Sequence, residues 1–408
     1  MSHGLWQTPA MSVLAINAGS SSIRFALFEA GLPPVRVRGG KIDRIGGRDA
    51  ELTVVEAGAA VPRAPLAVDG TSFRSAVDDL LTWLNSQPWI GELDAVGHRV
   101  VHGMHHTAPQ RATPALLSDL KRIGTLDPEH LPQEIQLAEA IGACLPDLAQ
   151  VLCFDTAFHR DMPRRATQLP IPRRYESLGI RRYGFHGLSY TFLMQELARL
   201  EDPRAARGRV ILAHLGSGAS LAAVRDGRCV DTTMGFTPTG GLMMGTRSGD
   251  LDPGILIYLA ESERMDAARV RQVLNHEAGL KGVSETSADV RDLLKREADD
   301  VRAAEAIDLF CYIARKSIAS FAGALGGVDL LVFAGGIGEN SPDIRARICE
   351  GLGFLGIELS APRNAHNAAV ISDDSGAEVT VRVIRTDEES VIAQLTAQVL
   401  DAPSAGET

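Results

Sequence analysis

The stretch VLAINAGSSSIRFALFE, residues 13–29, decides the fold. An apolar run enters a tight turn of small residues, and a second run with alternating polarity follows at once, which predicts two paired strands. The same order recurs in RVILAHLGSGASLAAVRDGR, residues 209–228. Small turn residues let a backbone approach an anion and point N–H and O–H groups at it. The recurrence therefore predicts a duplicated domain that holds nucleotide phosphates between its halves.

Each turn taken alone has an ordinary explanation as a hairpin. Neither contains GxxxxGK[ST], and neither opens a helix as a dinucleotide-binding turn does. The phosphate interpretation therefore depends on the recurrence and on the polar residues that accompany it.

The composition is that of a globular chain with two large domains. The 408 residues are 45% hydrophobic and 23% charged, which supplies ample core. A formal net charge of −10 argues against nucleic-acid binding, which requires a basic face. The five cysteines are scattered without a CxxC pair, as is typical of reduced thiols in a cytoplasmic protein. The first residues lack the pattern of a signal peptide and no apolar run approaches a membrane span, so we expect no membrane partner.

Helical and strand patterns alternate along the chain. Apolar residues recur at helical spacing over 71–85, from residue 132, over 301–325 and over 388–400. Buried strands are predicted over 93–103, 151–159 and 330–340. The last of these strands runs into a glycine turn. Residues 232–254 are too rich in Gly and Thr for a helix. A loop of this length in a compact domain indicates a functional segment.

Polar side chains stand at the ends of these strands, where α/β enzymes keep their sites. They are Asn17, Ser20, Ser22, Arg99, Asp155, His186, Arg247 and Glu388. Phosphoryl transfer requires positive donors for the phosphoryl oxygens and a carboxylate that helps to hold Mg²⁺. Taken singly, Arg99 is more often part of a structural ion pair and His186 a structural histidine.

The run HRVVHGMHH also raises the question of a zinc site. It brings His98, His102, His105 and His106 close together. The spacing matches no standard zinc site, and neither a carboxylate nor a Cys stands nearby in sequence. The sequence therefore disfavours zinc here.

Eight segments together resemble the acetate kinase family. INAGSSSIRF, GHRVVHG, FDTAFH, YGFHGLSY, HLGSGASL, TMGFTPTGGLMMGTRSGDLDPG, FAGGIGENS and TDEES occur in the order seen in that family, from about residue 13 to 395. The resemblance implies an α/β fold of duplicated actin-like ATPase (ribonuclease H-like) domains, with a nucleotide cleft between them. It further implies an N-terminal extension at 1–12, a first domain of 13–157 plus 386–402, and a second of 158–385 that binds nucleotide and forms a dimer.

The resemblance also assigns roles to individual residues. It gives catalytic roles to Arg99, His130, Asp155, His186 and Arg247. It places Arg99, Val101, Phe185 and Pro238 at the substrate, and Asn17 and Glu388 at the metal ion. It assigns nucleotide binding to Ser20, Ser22, Arg24, His214, Leu215, Gly216, Ser217, Gly218, Asp289, Val290, Arg291, Gly336, Ile337, Gly338, Glu339 and Asn340.

Three departures from the family pattern bear on the substrate. Arg24 stands where the family usually has Lys, Met-His-His follows the glycine after HRVVH, and Glu129 occupies the place of a pocket leucine. The third falls in the segment of the acyl pocket. Because buried unpaired carboxylates are rare, we expect Glu129 to turn toward solvent or a nearby Arg. The alternative is that Glu129 lines the pocket, where it would bear on the choice between acetate and propionate.

The expected activity is reversible, Mg²⁺-dependent, in-line transfer from ATP to acetate, giving acetyl phosphate and ADP. Mn²⁺ is expected to replace Mg²⁺, and a homodimer is implied by the resemblance. A carboxylate substrate is already ionised at pH 7, so Asp155 is interpreted as an orienting group rather than a base. The near alternative is a kinase for propionate or another short-chain acid. A non-catalytic ATPase module and a sugar kinase are disfavoured, the first because an ATPase needs no carboxylate clamp, the second because no polyol-binding cluster is evident.

Overall fold

The computed structural model describes residues 11–19, 21–29, 31, 33–47, 49–57, 64–124, 128 and 130–402. The chain forms two compact units, residues 1–157 with 387–408 and residues 158–386. Ser20 and Glu129, which the sequence singled out, lie outside the described residues, as do residues 1–10 of the predicted extension.

Unit 1 is built on a mixed sheet flanked by helices. Its elements are β1 (Ser12–Gly19), β2 (Ser22–Glu29), β3 (Val35–Asp43), β4 (Glu51–Glu56), β5 (Leu66–Ala67), α1 (Phe73–Asn85), a 3-10 turn (Pro88–Glu92), β6 (Ala95–Val100), β7 (Gln110–Arg111), α2 (Pro114–Ile123), α3 (Leu131–Cys144), β8 (Ala149–Phe154) and the C-terminal helix (Glu388–Asp401). The strand order among the described residues is β5-β4-β3-β2-β1-β6-β8-β7. Strand β1 is antiparallel to β2 and parallel to β6, which is parallel to β8.

The centre of this sheet is covered on both faces. Consecutive residues 13–16 of β1 are each at most 1% exposed, as expected of a strand with packing on either side. The C-terminal helix packs closely against β6 because residue 97 is a glycine. A Cβ at Gly97 would lie 2.6 Å from Cγ2 of Ile392 on that helix. The helix begins at the cap Asp387, whose side chain accepts from the N–H of Ser390. This packing places Glu388 beside the end of β1.

Unit 2 carries the second sheet and most of the helices. Its strands are β9 (Arg209–Leu215), β10 (Ala219–Arg225), β11 (Arg228–Thr232), β12 (Leu330–Ala334) and β13 (Thr380–Val383). Its helices are α4 (Arg164–Thr167), α5 (Gly187–Arg199), α6 (Arg204–Arg207), α7 (Pro253–Glu261), α8 (Ala267–Gln272), α9 (Gly279–Ser284), α10 (Val290–Arg296), α11 (Val301–Leu325), α12 (Gly335–Asn340), α13 (Pro342–Cys349) and α14 (Ala361–Ala365), with a π-helical turn at Val273–Glu277 and 3-10 turns at Arg173–Leu178 and Gly353–Leu355. A further 3-10 turn, Ala157–His159, begins at the last residue of the first segment of unit 1.

The two sheets share one topology. The order β11-β10-β9-β12-β13 matches β3-β2-β1-β6-β8, and in both series the first three strands are antiparallel and the last three parallel. In both, the Gly/Ser turn joins the first two strands in chain order. The prediction of a duplicated α/β fold from these turns is therefore confirmed.

The predicted elements agree closely with the observed ones in unit 2. Helix α11 spans the predicted residues 301–325, and residues 233–252 contain neither helix nor strand. The predicted glycine turn after β12 is also the start of a short helix, since α12 begins at Gly335 with φ of 77°. A Cβ at Gly335 would lie 2.7 Å from the carbonyl oxygen of Leu215, so only glycine fits this turn. Among the described residues, no helix has both the length and the apolar character needed to cross a membrane.

Candidate active site

In unit 1, two parallel strands bring Arg99 and Asp155 together. Arg99 lies near the end of β6 and Asp155 follows β8, whose Phe154 pairs with Val100. Nε and Nη2 of Arg99 donate to Oδ2 of Asp155 at 3.2 and 2.8 Å, and Nη1 donates to the carbonyl oxygen of Ala18 at 3.2 Å. Asp155 is 1% exposed. The guanidinium is thereby fixed at the end of β1, next to the first Gly/Ser turn.

Glu134 is a member of this group that the sequence analysis missed. It lies on α3 and is 3% exposed, with Oε1 3.6 Å from Nη1 of Arg99. Its Oε2 accepts from the N–H of Val101 at 2.8 Å. A signal was present in the sequence, because Glu134 lies three residues after Leu131 and four before Ala138, on the apolar stripe of the helix.

Asn17 and Glu388 also meet in unit 1. Nδ2 of Asn17, in β1, donates to Oε2 of Glu388 at 2.7 Å and to Oε1 of Glu389 at 3.4 Å. Burial raises the pKa of Glu388, and the negative charge of Asp155 raises it further, against the opposing effect of Arg99. Burial and the charge of Glu388 likewise raise the pKa of Glu389. Burial therefore disfavours the ionised form of both carboxylates, although Arg36 lies 3.4 Å from Glu389.

The balance of charge around Arg99 is negative. Burial would lower the pKa of Arg99, but the carboxylates of Asp155, Glu134 and Glu388 raise it above its ordinary value. Three acidic side chains thus surround one arginine. Amide and carboxylate oxygens are the ligands that Mg²⁺ prefers, so Asn17 and Glu388 fit a divalent cation that would offset the excess.

The other predicted residues of unit 1 lie around this group. Ser22 pairs with Gly19 across the hairpin, and Arg24 pairs with Asn17; Arg24 is exposed. Val101 is buried. His130 precedes α3 and lines a small cavity together with Ala18, Gly19, Gln133 and Glu134.

In unit 2, His186 and His214 form a stacked pair. His186 caps α5 in the left-handed conformation, with φ of 59°, and its ring lies 4.3 Å from that of His214, measured between centroids. Nδ1 of His186 lies 2.9 Å from Oγ of Ser220, which pairs with His214 across strands β10 and β9. Strand register therefore determines where the catalytic candidate His186 is held.

Two serines that the sequence analysis did not assign hold these rings. Oγ of Ser189 lies 2.8 Å from Nδ1 of His214 and 2.9 Å from Oγ1 of Thr386, while Ser220 also contacts the hydroxyl of Tyr190. Ser189 lies on α5 and its partner His214 on β9, so sequence spacing offered no signal for this contact. With its Nδ1 bound to Ser220, His186 has its ring orientation fixed.

Arg247 and His186 both lie beside Gly218 in the second Gly/Ser turn. A Cβ at Gly218 would lie 3.1 Å from Nε2 of His186 and 3.7 Å from Nη1 of Arg247. Nη1 of Arg247 also donates to the carbonyl oxygen of the buried Pro238 at 3.0 Å. Phe185 is 1% exposed. Gly218 therefore marks the place where an imidazole and a guanidinium meet.

We predict that Gly218→Ala lowers the rate of phosphoryl transfer by about 10²-fold, which corresponds to about 2.7 kcal/mol. The added methyl group would press on Nε2 of His186 and displace it. The measurement is kcat with saturating substrates, together with Tm to show that the variant folds. The matched control is Gly323→Ala, because a Cβ at that helical glycine meets nothing within 4 Å. Equal kcat in the two variants would contradict this placement of His186.

The three predicted nucleotide-binding stretches are neighbours in unit 2. A Cβ at Gly216 would lie 3.7 Å from the amide nitrogen of Gly336, and one at Gly245 would lie 3.5 Å from the carbonyl oxygen of Ser217 and 3.2 Å from that of Ala288. Residue 288 directly precedes Asp289, which caps α10 and forms an ion pair with Arg291 at 2.6 Å. The loop that contains Arg247 therefore joins the turn 216–218 to the stretch 289–291.

Hydrogen bonds of Glu339 and Arg345 fix the backbone around the stretch 336–340. Oε1 of Glu339 accepts from the N–H groups of Gly335 and Thr386 at 2.9 and 3.1 Å. Arg345 is fully buried, and its Nη1 donates to the carbonyl oxygen of Gly338 at 2.8 Å. The sequence analysis did not single out Arg345, which the fold requires because it satisfies carbonyl groups at the end of α12.

Duplicated sheets with polar groups at the strand ends define an ATPase-type fold of the actin-like class. The family model described as "Acetokinase family" matches residues 12–394. An acetate kinase of Rhodopseudomonas palustris (strain TIE-1) is 42% identical over 389 residues, covering 94% of this chain and 96% of the relative. The chain belongs to the acetokinase family.

Other relatives in the family carry two different names. A propionate kinase of Citrobacter rodentium is also 42% identical, covering 94% of this chain and 95% of the relative. The crystal structure of Porphyromonas gingivalis acetate kinase superposes with a TM-score of 0.84 at 35% identity, covering 96% of this chain and all of that one. The structure of a propionate kinase from Francisella tularensis gives a TM-score of 0.87 at 32% identity, over 95% and 100% of the two chains. The resemblance inferred from the sequence is therefore confirmed.

Proposed function

We propose that this protein transfers the γ-phosphoryl group of ATP reversibly to acetate, giving acetyl phosphate and ADP. The observation that carries the proposal is the fixed Arg99: its Nε and Nη2 donate to Asp155, which leaves Nη1 directed at the end of β1. An anionic acceptor and an anionic phosphoryl group repel each other, so transfer to a carboxylate needs positive donors held in advance. Arg247 supplies the second positive charge, beside His186.

In the proposed step, a carboxylate oxygen of acetate attacks phosphorus and the bond to the bridging oxygen of ADP breaks. The attacking oxygen carries no proton at neutral pH, so no side chain has to remove one. Asp155 holds Arg99, and Ser220 holds His186 with its Nε2 toward Gly218. His186 then donates to the phosphoryl oxygens as charge moves onto them.

Asn17 and Glu388 are the proposed ligands of Mg²⁺. The support is the excess of buried carboxylate around Arg99 and the oxygen donors on both side chains. When bound, the ion offsets charge on the transferring phosphoryl group. Mn²⁺ prefers the same oxygen donors and would replace it.

We predict that Glu388→Gln raises Tm of the metal-free protein at pH 7–8 by roughly 2–4 °C, the shift that about 1 kcal/mol produces in domains of 150–250 residues. Because its pKa is raised in the folded state, the folded protein holds this proton more tightly than the unfolded chain does. Ionised Glu388 is therefore destabilising above its unfolded pKa, and the gain from Gln should vanish toward pH 4.

The same substitution should weaken Mg²⁺ binding and Mg²⁺-dependent activity. The control is Glu29→Gln, at an exposed position of the same unit, which should change neither. A Tm of Glu388→Gln below that of the parent at pH 7–8 would show that the carboxylate is stabilising and that the charge excess is wrongly assigned.

Val101, Phe185 and Pro238 are the proposed contacts of the acyl group. All three are buried and apolar, as the methyl group of acetate requires. A propionate kinase shares 42% identity with this chain, so chain length is a direct test. A hydroxamate assay with ATP, Mg²⁺ and formate, acetate, propionate or butyrate should give the highest kcat/KM for acetate. A higher kcat/KM for propionate would show that propionate is the preferred substrate of the same reaction.

The proposed assembly is a homodimer formed through unit 2. Helix α7 has no buried residue, and its Ile257 and Tyr258 are 57% and 56% exposed. Large apolar side chains exposed together on one helix are typical of a protein contact.

The proposed compartment is the cytoplasm, and its support is the set of free cysteines. Burial raises the pKa of the Cys153 thiol to about 12, which keeps it unreactive.

A further inference from the structure

The loop after β6 holds two consecutive histidines in defined positions. Met104 has φ of 50°, and the N–H of His106 donates to the carbonyl oxygen of Gly103 at 2.8 Å. A Cβ at Gly103 would lie 2.5 Å from the carbonyl oxygen of His106, so glycine is required there. The ring of His106 stacks on Phe154 with centroids 5.5 Å apart. The loop therefore has a defined turn conformation that fixes the positions of the two histidines.

Both histidines point the same ring atom at one carboxylate. Nε2 of His105 lies 3.1 Å from Oδ2 of Asp119, and Nε2 of His106 lies 3.0 Å from the same oxygen. The two rings are 4.1 Å apart. Two ligands bound at 2.0–2.1 Å to one zinc ion are themselves about 3.0–3.4 Å apart. Each imidazole nitrogen is therefore already at the distance from the carboxylate oxygen that such an ion imposes, and all three ligand atoms lie within 4.8 Å of one another.

The sequence argued against zinc because no carboxylate stands near these histidines along the chain. In the structure a carboxylate does lie beside them. Helix α2 brings in Asp119, which is 13 residues beyond His106. A carboxylate ligand must be ionised, and an aspartate ordinarily is at neutral pH.

We propose that His105, His106 and Asp119 form a binding site for a divalent transition metal, with Zn²⁺ as the ion that fits best. Two imidazoles and a carboxylate suit zinc, whereas Mg²⁺ prefers oxygen ligands alone. His105 is 67% exposed, while His106 and Asp119 are 13% and 18% exposed. The ion therefore reaches the site from solvent, and water completes its coordination.

Two neighbours tune this site in opposite directions. Nδ1 of His106 lies 3.2 Å from Nε2 of Gln110. In the structure this amide nitrogen donates to Nδ1. A metal bound at Nε2 would move the imidazole proton to Nδ1, and Gln110 would accept it there if its amide rotated. Arg122 forms an ion pair with Oδ1 of Asp119 and so competes with the metal for this carboxylate. Removing Arg122 should therefore strengthen binding.

The test is calorimetric titration of ZnCl₂ into the untagged, metal-free full chain in the presence of millimolar Mg²⁺. We expect His105→Ala to weaken Zn²⁺ binding at least tenfold and Arg122→Ala to strengthen it about threefold or more. Both side chains are exposed, so neither variant threatens the fold. His366→Ala, at an exposed histidine of unit 2, should bind like the parent.

Kinase activity in Mg²⁺ alone should be unchanged in all three variants, since none of these residues belongs to the proposed active site. Binding to His105→Ala with the parent's affinity would overturn the proposal, because Zn²⁺ would then be held elsewhere, for example by the cysteines. Unchanged affinity in Arg122→Ala would also overturn it, since Asp119 would then not be a ligand.

Discussion

Arg99→Ala and Arg247→Ala should each lower kcat/KM for transfer to acetate by about 10³-fold, or about 4 kcal/mol. Each substitution removes a positive donor that the proposed transfer between two anions requires. Neither Arg99 nor Arg247 is among the residues assigned to nucleotide, so binding of ADP should change little. The measurement is initial rate against acetate concentration, with ADP affinity measured separately by calorimetry.

The arginine variants need two further comparisons. Arg99→Ala removes the positive charge that pairs with the buried carboxylates of Asp155 and Glu134, so its Tm should fall as well. Arg99→Lys keeps the charge but loses the two-nitrogen contact with Asp155, and its rate should lie between those of the parent and Arg99→Ala. Arg74→Ala, at an exposed position on α1, is the neutral control. A folded Arg99→Ala or Arg247→Ala protein with the parent's turnover would rule out the carboxylate clamp.

The second large effect is expected at Asp155. Asp155→Asn should lower kcat by about 10²-fold or more, at least about 2.7 kcal/mol, because Oδ2 accepts from two nitrogens of Arg99. An amide in its place carries no charge and offers one acceptor oxygen instead of two. The guanidinium would then lose its fixed orientation at the end of β1.

The pH profile separates an orienting role for Asp155 from a role as base. If Asp155 only orients Arg99, the dependence of kcat on pH keeps its shape in Asp155→Asn while its height falls. If Asp155 accepted a proton in the reaction, its removal would abolish the limb of the profile that reports its titration. The control is Asp147→Asn, an exposed position just before β8, which should match the parent throughout.

The sequence predicted those features that local pattern determines. The Gly/Ser turn between two strands occurs twice, and each copy sets the same strand order in its own sheet. Helix α11 matches its prediction because its apolar spacing runs uninterrupted to the cap at Gly326, which has φ of 72°. Polar residues at strand ends were also placed well, since Arg99 and Asp155 lie on parallel neighbours.

The missed residues depend on contacts between elements distant in sequence. Glu134 reaches Arg99 from a helix, and its burial could not be deduced without knowing which face of α3 meets the sheet. Ser220 holds His186 because of strand register, and Asp119 meets His106 because α2 packs against the loop after β6. Pairings of this kind are set by packing, and single-sequence periodicity does not contain them.

The most direct test of the proposed function is ³¹P nuclear magnetic resonance of the purified protein with ATP, Mg²⁺ and acetate. We predict that the resonances of ADP and acetyl phosphate appear together, that both require acetate, and that adding acetyl phosphate to ADP and Mg²⁺ regenerates ATP. Formation of inorganic phosphate alone, at a rate independent of acetate, would show an ATPase and would contradict the account.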